Sequence, residues 1–170
     1  MKTLRIPFFL VIVATVMSSC GYNAMVDKDE TVTQKWADVQ TQYQRRSDLI
    51  PNLVSTVKGY ADFEQETLTQ VVEARAKATG ITVNADEITP ENIQKFQAAQ
   101  SQLSGALSRL LVTVERYPDL KANTNFRDLQ AQLEGTENRI SVARQKFNEA
   151  VKDYNSYIKK FPRVFYAGWF

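Results

Sequence analysis

The chain is 170 residues long, carries 21 Lys+Arg against 19 Asp+Glu for a formal charge of +2, and contains one Cys and no His. Without histidine there is no imidazole general base, no Ser–His or Cys–His nucleophile and no imidazole metal ligand. A single cysteine excludes an internal disulfide, a cysteine zinc cage and a CxxC redox pair. The length suits one domain, and 44% apolar residues can fill a core, which excludes a disordered chain.

At the N-terminus Lys2 and Arg5 precede the apolar run Phe8-Phe9-Leu10-Val11-Ile12-Val13-Ala14-Thr15-Val16, which ends in Met17-Ser18-Ser19-Cys20. A charged start, a short apolar stretch and small residues before a cut describe a secretory signal. Counted from Ile6 to Met17 the run is 12 residues, short of the roughly 20 that cross a bilayer as a helix. The tetrad ending at Cys20 resembles the bacterial lipobox, with Met17 in place of the usual Leu. Residues 1–19 are therefore expected to be a lipoprotein signal peptide, and residues 20–170 a helical domain acylated at Cys20. Acyl chains anchor at about 0.8 kcal/mol per buried CH₂. Cleavage would remove Lys2 and Arg5 and leave a neutral body, which argues against nucleic acid as a partner.

Along the rest of the chain a helical period dominates. Trp36, Val39, Tyr43, Ile50, Leu53, Val57 and Tyr60 fall on steps of three and four once Arg46 takes a place on the same seam. The register passes through Pro51 without slipping, so Pro51 is read as a kink within one helix that costs the carbonyl of Ser47 its backbone partner. Gly59 to Asp62 interrupt the pattern, with Asp62 a candidate N-cap and Gln65 three residues on. Leu68, Val71, Val72 and Ala78 make a second helical face to about Gly80. Residues 81–89 read as a loop. Thr89-Pro90 reads as an N-cap followed by proline at the first helical position. Phe96, Leu103, Leu107, Leu110, Val114 and Tyr117 form the third face, which Pro118 ends, and Asp119–Asn123 reads as a turn.

The fourth pattern is the strongest: Phe126, Leu129, Leu133, Thr136, Ile140, Ala143, Phe147, Ala150, Tyr154, Tyr157 and Phe161 alternate steps of three and four without error, and Pro162 closes the run. A stripe of that length needs long partner helices beside it. The predicted fold class is all-α, an antiparallel up-and-down four-helix bundle with long helices. Three long helices are the alternative if the chain does not break at Gly59–Asp62. The tail from Arg163 is too short and aromatic to be another helix of the bundle.

Several blocks carry a family resemblance. Arg45-Arg46-Ser47-Asp48-Leu49-Ile50-Pro51-Asn52-Leu53-Val54, Glu73-Ala74-Arg75, Leu103-Ser104-Gly105-Ala106-Leu107-Ser108-Arg109-Leu110, Glu115-Arg116-Tyr117-Pro118-Asp119-Leu120-Lys121-Ala122-Asn123 and Leu133-Glu134-Gly135-Thr136-Glu137-Asn138-Arg139-Ile140 look like the signature blocks of the LemA family. The resemblance runs over essentially the whole chain from Tyr22. It implies a helical bundle held at a bacterial membrane by its N-terminus, with the body outside the cytoplasm, and it implies no agreed biochemical activity. An apparent lipobox stands here where many relatives have a plain transmembrane segment.

Three groups of residues are candidates for function. Arg46 occupies a seam position outright, and a buried charge must meet a carboxylate or reach solvent; interhelical pairing with Glu115, Glu134 or Glu137 is the expectation, a substrate-binding arginine the alternative. Glu134 and Glu137 lie three apart on one helical face, as groove or rim residues. From Lys159 to Phe170 the chain has three basic residues, no acidic ones and five aromatics. Lys159, Lys160, Arg163, Phe165, Tyr166, Trp169 and Phe170 are thus a candidate membrane or partner contact, or else the rings plug the end of the bundle.

No catalytic residue, metal site or cofactor is expected, because the di-metal bundle sites need Glu-x-x-His and this chain has no His. The expected function is a non-enzymatic, lipid-anchored scaffold or adaptor of the cell envelope, with the membrane and an unidentified envelope protein as partners. The alternative is a peptide- or lipid-binding module, and a carboxylate-based enzyme stands third.

Overall fold

The computed structural model describes residues 5–60, 64–161 and 163–165, with the backbone alone for residues 5–20 and 165. Helix α1 runs Arg5–Lys58, α2 Gln65–Thr79, α3 Pro90–Val114, α4 Pro118–Ala122 and α5 Thr124–Ile158, with single 3-10 turns at Ala85–Glu87 and Arg163–Phe165. The described residues include no strand. The chain divides into two compact units, one of Met1–Trp36 with Gln145–Phe170 and one of Ala37–Arg144.

The second unit is an antiparallel up-and-down bundle of four helical segments: the end of α1, then α2, α3 and the start of α5. Neighbouring helices run in opposite senses. Arg116 at the end of α3 meets Glu64 at the start of α2, and Gln100 of α3 reaches Ala78 near the end of α2. Likewise Tyr60 beyond α1 meets Asn123 at the start of α5, while Arg46 meets Glu137 further along it. The seam residues make one core, among them Ile50, Leu53, Val57, Leu68, Val71, Leu103, Leu110, Leu133 and Phe126. Fully burying side chains of this size contributes about 1.5–3 kcal/mol each.

Helix α1 ends at Lys58 and α2 starts at Gln65, so four helical segments form where a continuous helix would have given three. Pro51 lies inside α1, as the unbroken register required. Thr89 caps α3, its hydroxyl accepting from the Asn92 amide at 3.2 Å, with Pro90 at the first helical position.

Four details differ from the sequence reading. The cap position of α2 belongs to Glu64, which makes no capping bond and pairs with Arg116 at 2.6 Å; Asp62 lies outside the described residues. Val72 is half exposed, and the small Ala74 takes the buried place that α2 presents to its neighbours. Helix α3 ends at Val114, and Pro118 opens the short α4 where a plain turn was expected. The reason is Leu120, fully buried in the core, which a turn of helix delivers. Phe161 lies beyond α5 and is 80% exposed, so the stripe stops at Tyr157. Pro162 lies outside the described residues.

The first unit pairs the earlier part of α1 with the later part of α5, again antiparallel. Trp36 and Phe147 pack with ring centroids 5.1 Å apart, and the Tyr157 hydroxyl donates to the Gly21 carbonyl at 3.4 Å. Met25, Val32, Trp36 and Phe147 are buried here, whereas Ala150, Tyr154 and Tyr157 are half-buried. A two-helix pair has less to bury against than a four-helix bundle.

Candidate functional site

Arg46 is the centre of the polar structure in the bundle. Its side chain is 2% exposed, and four hydrogen bonds hold its guanidinium. Nη1 donates to Ser104 Oγ at 2.7 Å and to Glu137 Oε2 at 2.9 Å. Nη2 donates to Gln100 Oε1 at 2.7 Å and to the Gln100 carbonyl at 3.2 Å. The Gln100 amide nitrogen in turn donates to the Ala78 carbonyl at 3.3 Å, so the network reaches from α1 through α3 and α5 to the end of α2. The guanidinium also lies 5.1 Å from the Tyr43 ring centroid. Burying a charge is tolerable only with partners of this kind. Glu137 is 58% exposed, so the carboxylate keeps much of its hydration while it neutralises the arginine.

Of the three carboxylates considered for Arg46, Glu137 makes the contact. Glu115 pairs with Lys121 across the start of α4, and Glu134 accepts from Gln130 at 3.0 Å. Gln100 and Ser104 escaped the sequence reading, yet the signal for Gln100 was present: it fills the seam position midway between Phe96 and Leu103. Tyr43 packs edge-on against Phe96 at 5.1 Å. Burial pushes its phenol above the usual value, against the opposing pull of the Arg144 and Arg46 charges.

Beside Arg46 a groove of about 230 Å³ opens between α3 and α5. Each helix contributes residues at i, i+3, i+4 and i+7: Ser104, Leu107, Ser108 and Leu111 from α3, and Gln130, Leu133, Glu134 and Glu137 from α5. The leucines make its floor and the polar residues its rim and its Arg46 end. A wider depression of about 520 Å³ between α2 and α3 has a mixed lining that includes Glu73, Lys77 and Arg109. The described residues hold no group of three or more His, Cys, Asp or Glu disposed to bind a metal ion.

The remaining candidates belong to the first unit. Cys20 falls within the backbone of α1, and its side chain lies outside what is described. Lys159 and Lys160 are exposed, and Arg163 stacks its guanidinium on the Tyr157 ring, 3.8 Å from the centroid. Lys28 approaches the same ring at 5.5 Å. Because the Tyr157 hydroxyl reaches Gly21, these cations gather at the Cys20 end of the helix pair. The side chain of Phe165, and Tyr166, Trp169 and Phe170 altogether, lie outside the described residues. No helix among the described residues is long and apolar enough to cross a membrane.

The fold and its centre define an all-α bundle organised around one buried arginine, with no group of three or more possible metal ligands among the described residues. The sequence matches the LemA family over residues 35–170, and the chain belongs to that family. It is similar to the protein LemA of Metamycoplasma hominis, 27% identical over 123 residues that cover 72% of this chain and 52% of the relative. It is also similar to the magnetosome protein MamQ of Magnetospirillum gryphiswaldense, 26% identical over an alignment covering 83% of this chain and 58% of the relative. The magnetosome protein MamQ 1 of Paramagnetospirillum magneticum is 25% identical with the same coverage. The chain spans about half the length of these curated relatives.

Proposed function

We propose that this protein is a non-enzymatic scaffold or adaptor of the bacterial cell envelope, anchored by acylation of Cys20, with its helical body outside the cytoplasm. The observation that carries the reading is the contact of the Tyr157 hydroxyl, on whose ring Arg163 stacks, with Gly21, the residue that follows Cys20. A cationic cluster at the anchored end suits an anionic headgroup layer, where each basic residue near the surface contributes about 1 kcal/mol. Its similarity to LemA and MamQ proteins supports membrane association.

Metabolic labelling with a palmitate analogue, followed by membrane fractionation, tests the anchor. The parent should label and sediment with membranes, and Cys20→Ala should lose the label and lipoprotein-type processing. Continued labelling of the Cys20→Ala chain overturns the assignment. A second reading, a peptide-binding module, is favoured by the groove between α3 and α5, whose apolar floor and few convergent polar groups are the usual make-up of a binding cleft. The two readings join if the groove is where the adaptor holds its partner.

A further inference from the structure

We infer that the groove between α3 and α5 docks a basic amphipathic helix of a partner protein, with a lysine or arginine seated against Glu134 and Glu137. This rests on the adaptor reading above and gives the partner its chemistry.

The shape of the groove comes from two helical strips facing one another in antiparallel sense. Ser104 and Glu137 meet at Arg46, and Leu111 and Gln130 lie towards the other end. A channel that follows helix axes and is floored by leucine suits a third helix laid along it, read through anchors one turn apart. Its volume of about 230 Å³ leaves room for one large side chain, so the contact has a single anchor flanked by shallower ones. On α3 the apolar surface continues beyond the groove. Val112, one turn after Ser108, is 71% exposed, more than any other large aliphatic residue among those described.

Charge decides what the anchor is. The cation of the groove, Arg46, is buried and already bonded to Ser104, Gln100 and Glu137. The carboxylates face outward: Glu137 is 58% exposed and uses one oxygen on Arg46, and Glu134 is exposed with one oxygen on Gln130. The open rim is therefore net negative. An apolar or acidic occupant would strip water from these carboxylates and return nothing. A lysine or arginine lays its aliphatic stem over Leu107, Leu111 and Leu133 and ends in a cation at the carboxylates. An anionic phospholipid headgroup would meet the same negative rim and be repelled.

The test uses the full chain in nanodiscs of zwitterionic lipid and a short labelled peptide of leucine and lysine in helical amphipathic spacing, followed by fluorescence anisotropy. The parent should bind it, and added salt should weaken the binding. Glu134→Lys reverses the charge of an exposed residue and should weaken it about tenfold or more, with an unchanged thermal melt. Ser108→Trp, which fills the groove from an exposed position, should do the same. A leucine–glutamate peptide should bind the parent about tenfold more weakly and recover on Glu134→Lys. The inference is overturned if the lysine peptide fails to bind, if both variants bind it as the parent does, or if the glutamate peptide binds the parent equally well. The same anisotropy measured on the detergent-solubilised full chain does not depend on the anchor, so failure of the peptide to bind leaves the acylation of Cys20 untouched, and an unacylated Cys20 leaves this test intact.

Discussion

Arg75 Nε donates to the carbonyl of Ser47 at 2.9 Å. That carbonyl is the one whose helical donor would be the amide of residue 51, and residue 51 is proline, which has none. A side chain from α2 therefore supplies the hydrogen bond that α1 cannot make for itself. The bond also ties the two helices together at the point where proline loosens the first. Ser47 is buried, so water is a poor substitute.

This relationship can be measured as a coupling. Arg75→Leu should destabilise the protein by about 1–3 kcal/mol, the cost of leaving a buried carbonyl without a donor. In a Pro51→Ala background the backbone amide returns and the same substitution should cost markedly less. Chemical denaturation of the four proteins in this double-mutant cycle gives the answer. Equal costs in both backgrounds would show that Arg75 acts on something other than the Ser47 carbonyl.

The two members of the Arg46–Glu137 pair can be removed one at a time. Arg46→Ala strands the buried Gln100 Oε1 and should cost at least about 1–3 kcal/mol, with a fall in Tm of about 2–4 °C per kcal/mol. Glu137→Gln keeps an oxygen that can accept from Nη1 but takes the counter-ion from a buried guanidinium, and should cost about 1–3 kcal/mol. A melt of Arg46→Ala that coincides with the parent would remove Arg46 from the list of stabilising groups.

Tyr43 gives the bundle an alkaline limit. Burial raises its phenol above the ordinary value of 10.0, so the folded state holds the proton more tightly than the unfolded chain. Below that value the phenol is neutral in both states and stability does not depend on it. As pH rises through it the unfolded chain ionises first, and stability falls. Melts taken at about pH 8 and about pH 11 should therefore show a smaller alkaline loss for Tyr43→Phe than for the parent. An identical loss in both would assign the alkaline sensitivity elsewhere.

The aromatic tail is expected at the membrane interface. In a Trp36→Phe background the remaining tryptophan is Trp169. With the lipidated protein in anionic vesicles carrying a headgroup quencher, its fluorescence should fall relative to lipid-free protein. Unchanged fluorescence would place Trp169 away from the bilayer.

How much of this was legible in the sequence follows from what periodicity encodes. The seams through Trp36 to Val57 and Phe126 to Phe147 could be read residue by residue, because a large apolar side chain every three or four positions has no other use in a helix. Small residues carry no such signal, so Ala74 was passed over in favour of its exposed neighbour Val72. Local chemistry predicted the cap at Thr89, whereas α4 depends on where Leu120 finds its core, which no neighbouring residue announces. At the polar centre the sequence identified the charge that had to be answered at Arg46. It could not show that two neutral groups, Gln100 and Ser104, would share the task with a carboxylate, since those contacts join residues far apart in the chain.

The partners of Arg46 also have an order in time. Synthesis delivers the chain from its N-terminus, although a domain generally folds as a unit. Gln100 and Ser104 lie on α3 and emerge before Glu137 on α5, so the uncharged acceptors of the guanidinium become available first and its counter-ion last. A chain that stops short of α5 holds the neutral acceptors of Arg46 without its counter-ion. Only when the last helix is present is the charge of Arg46 answered by a carboxylate within the bundle.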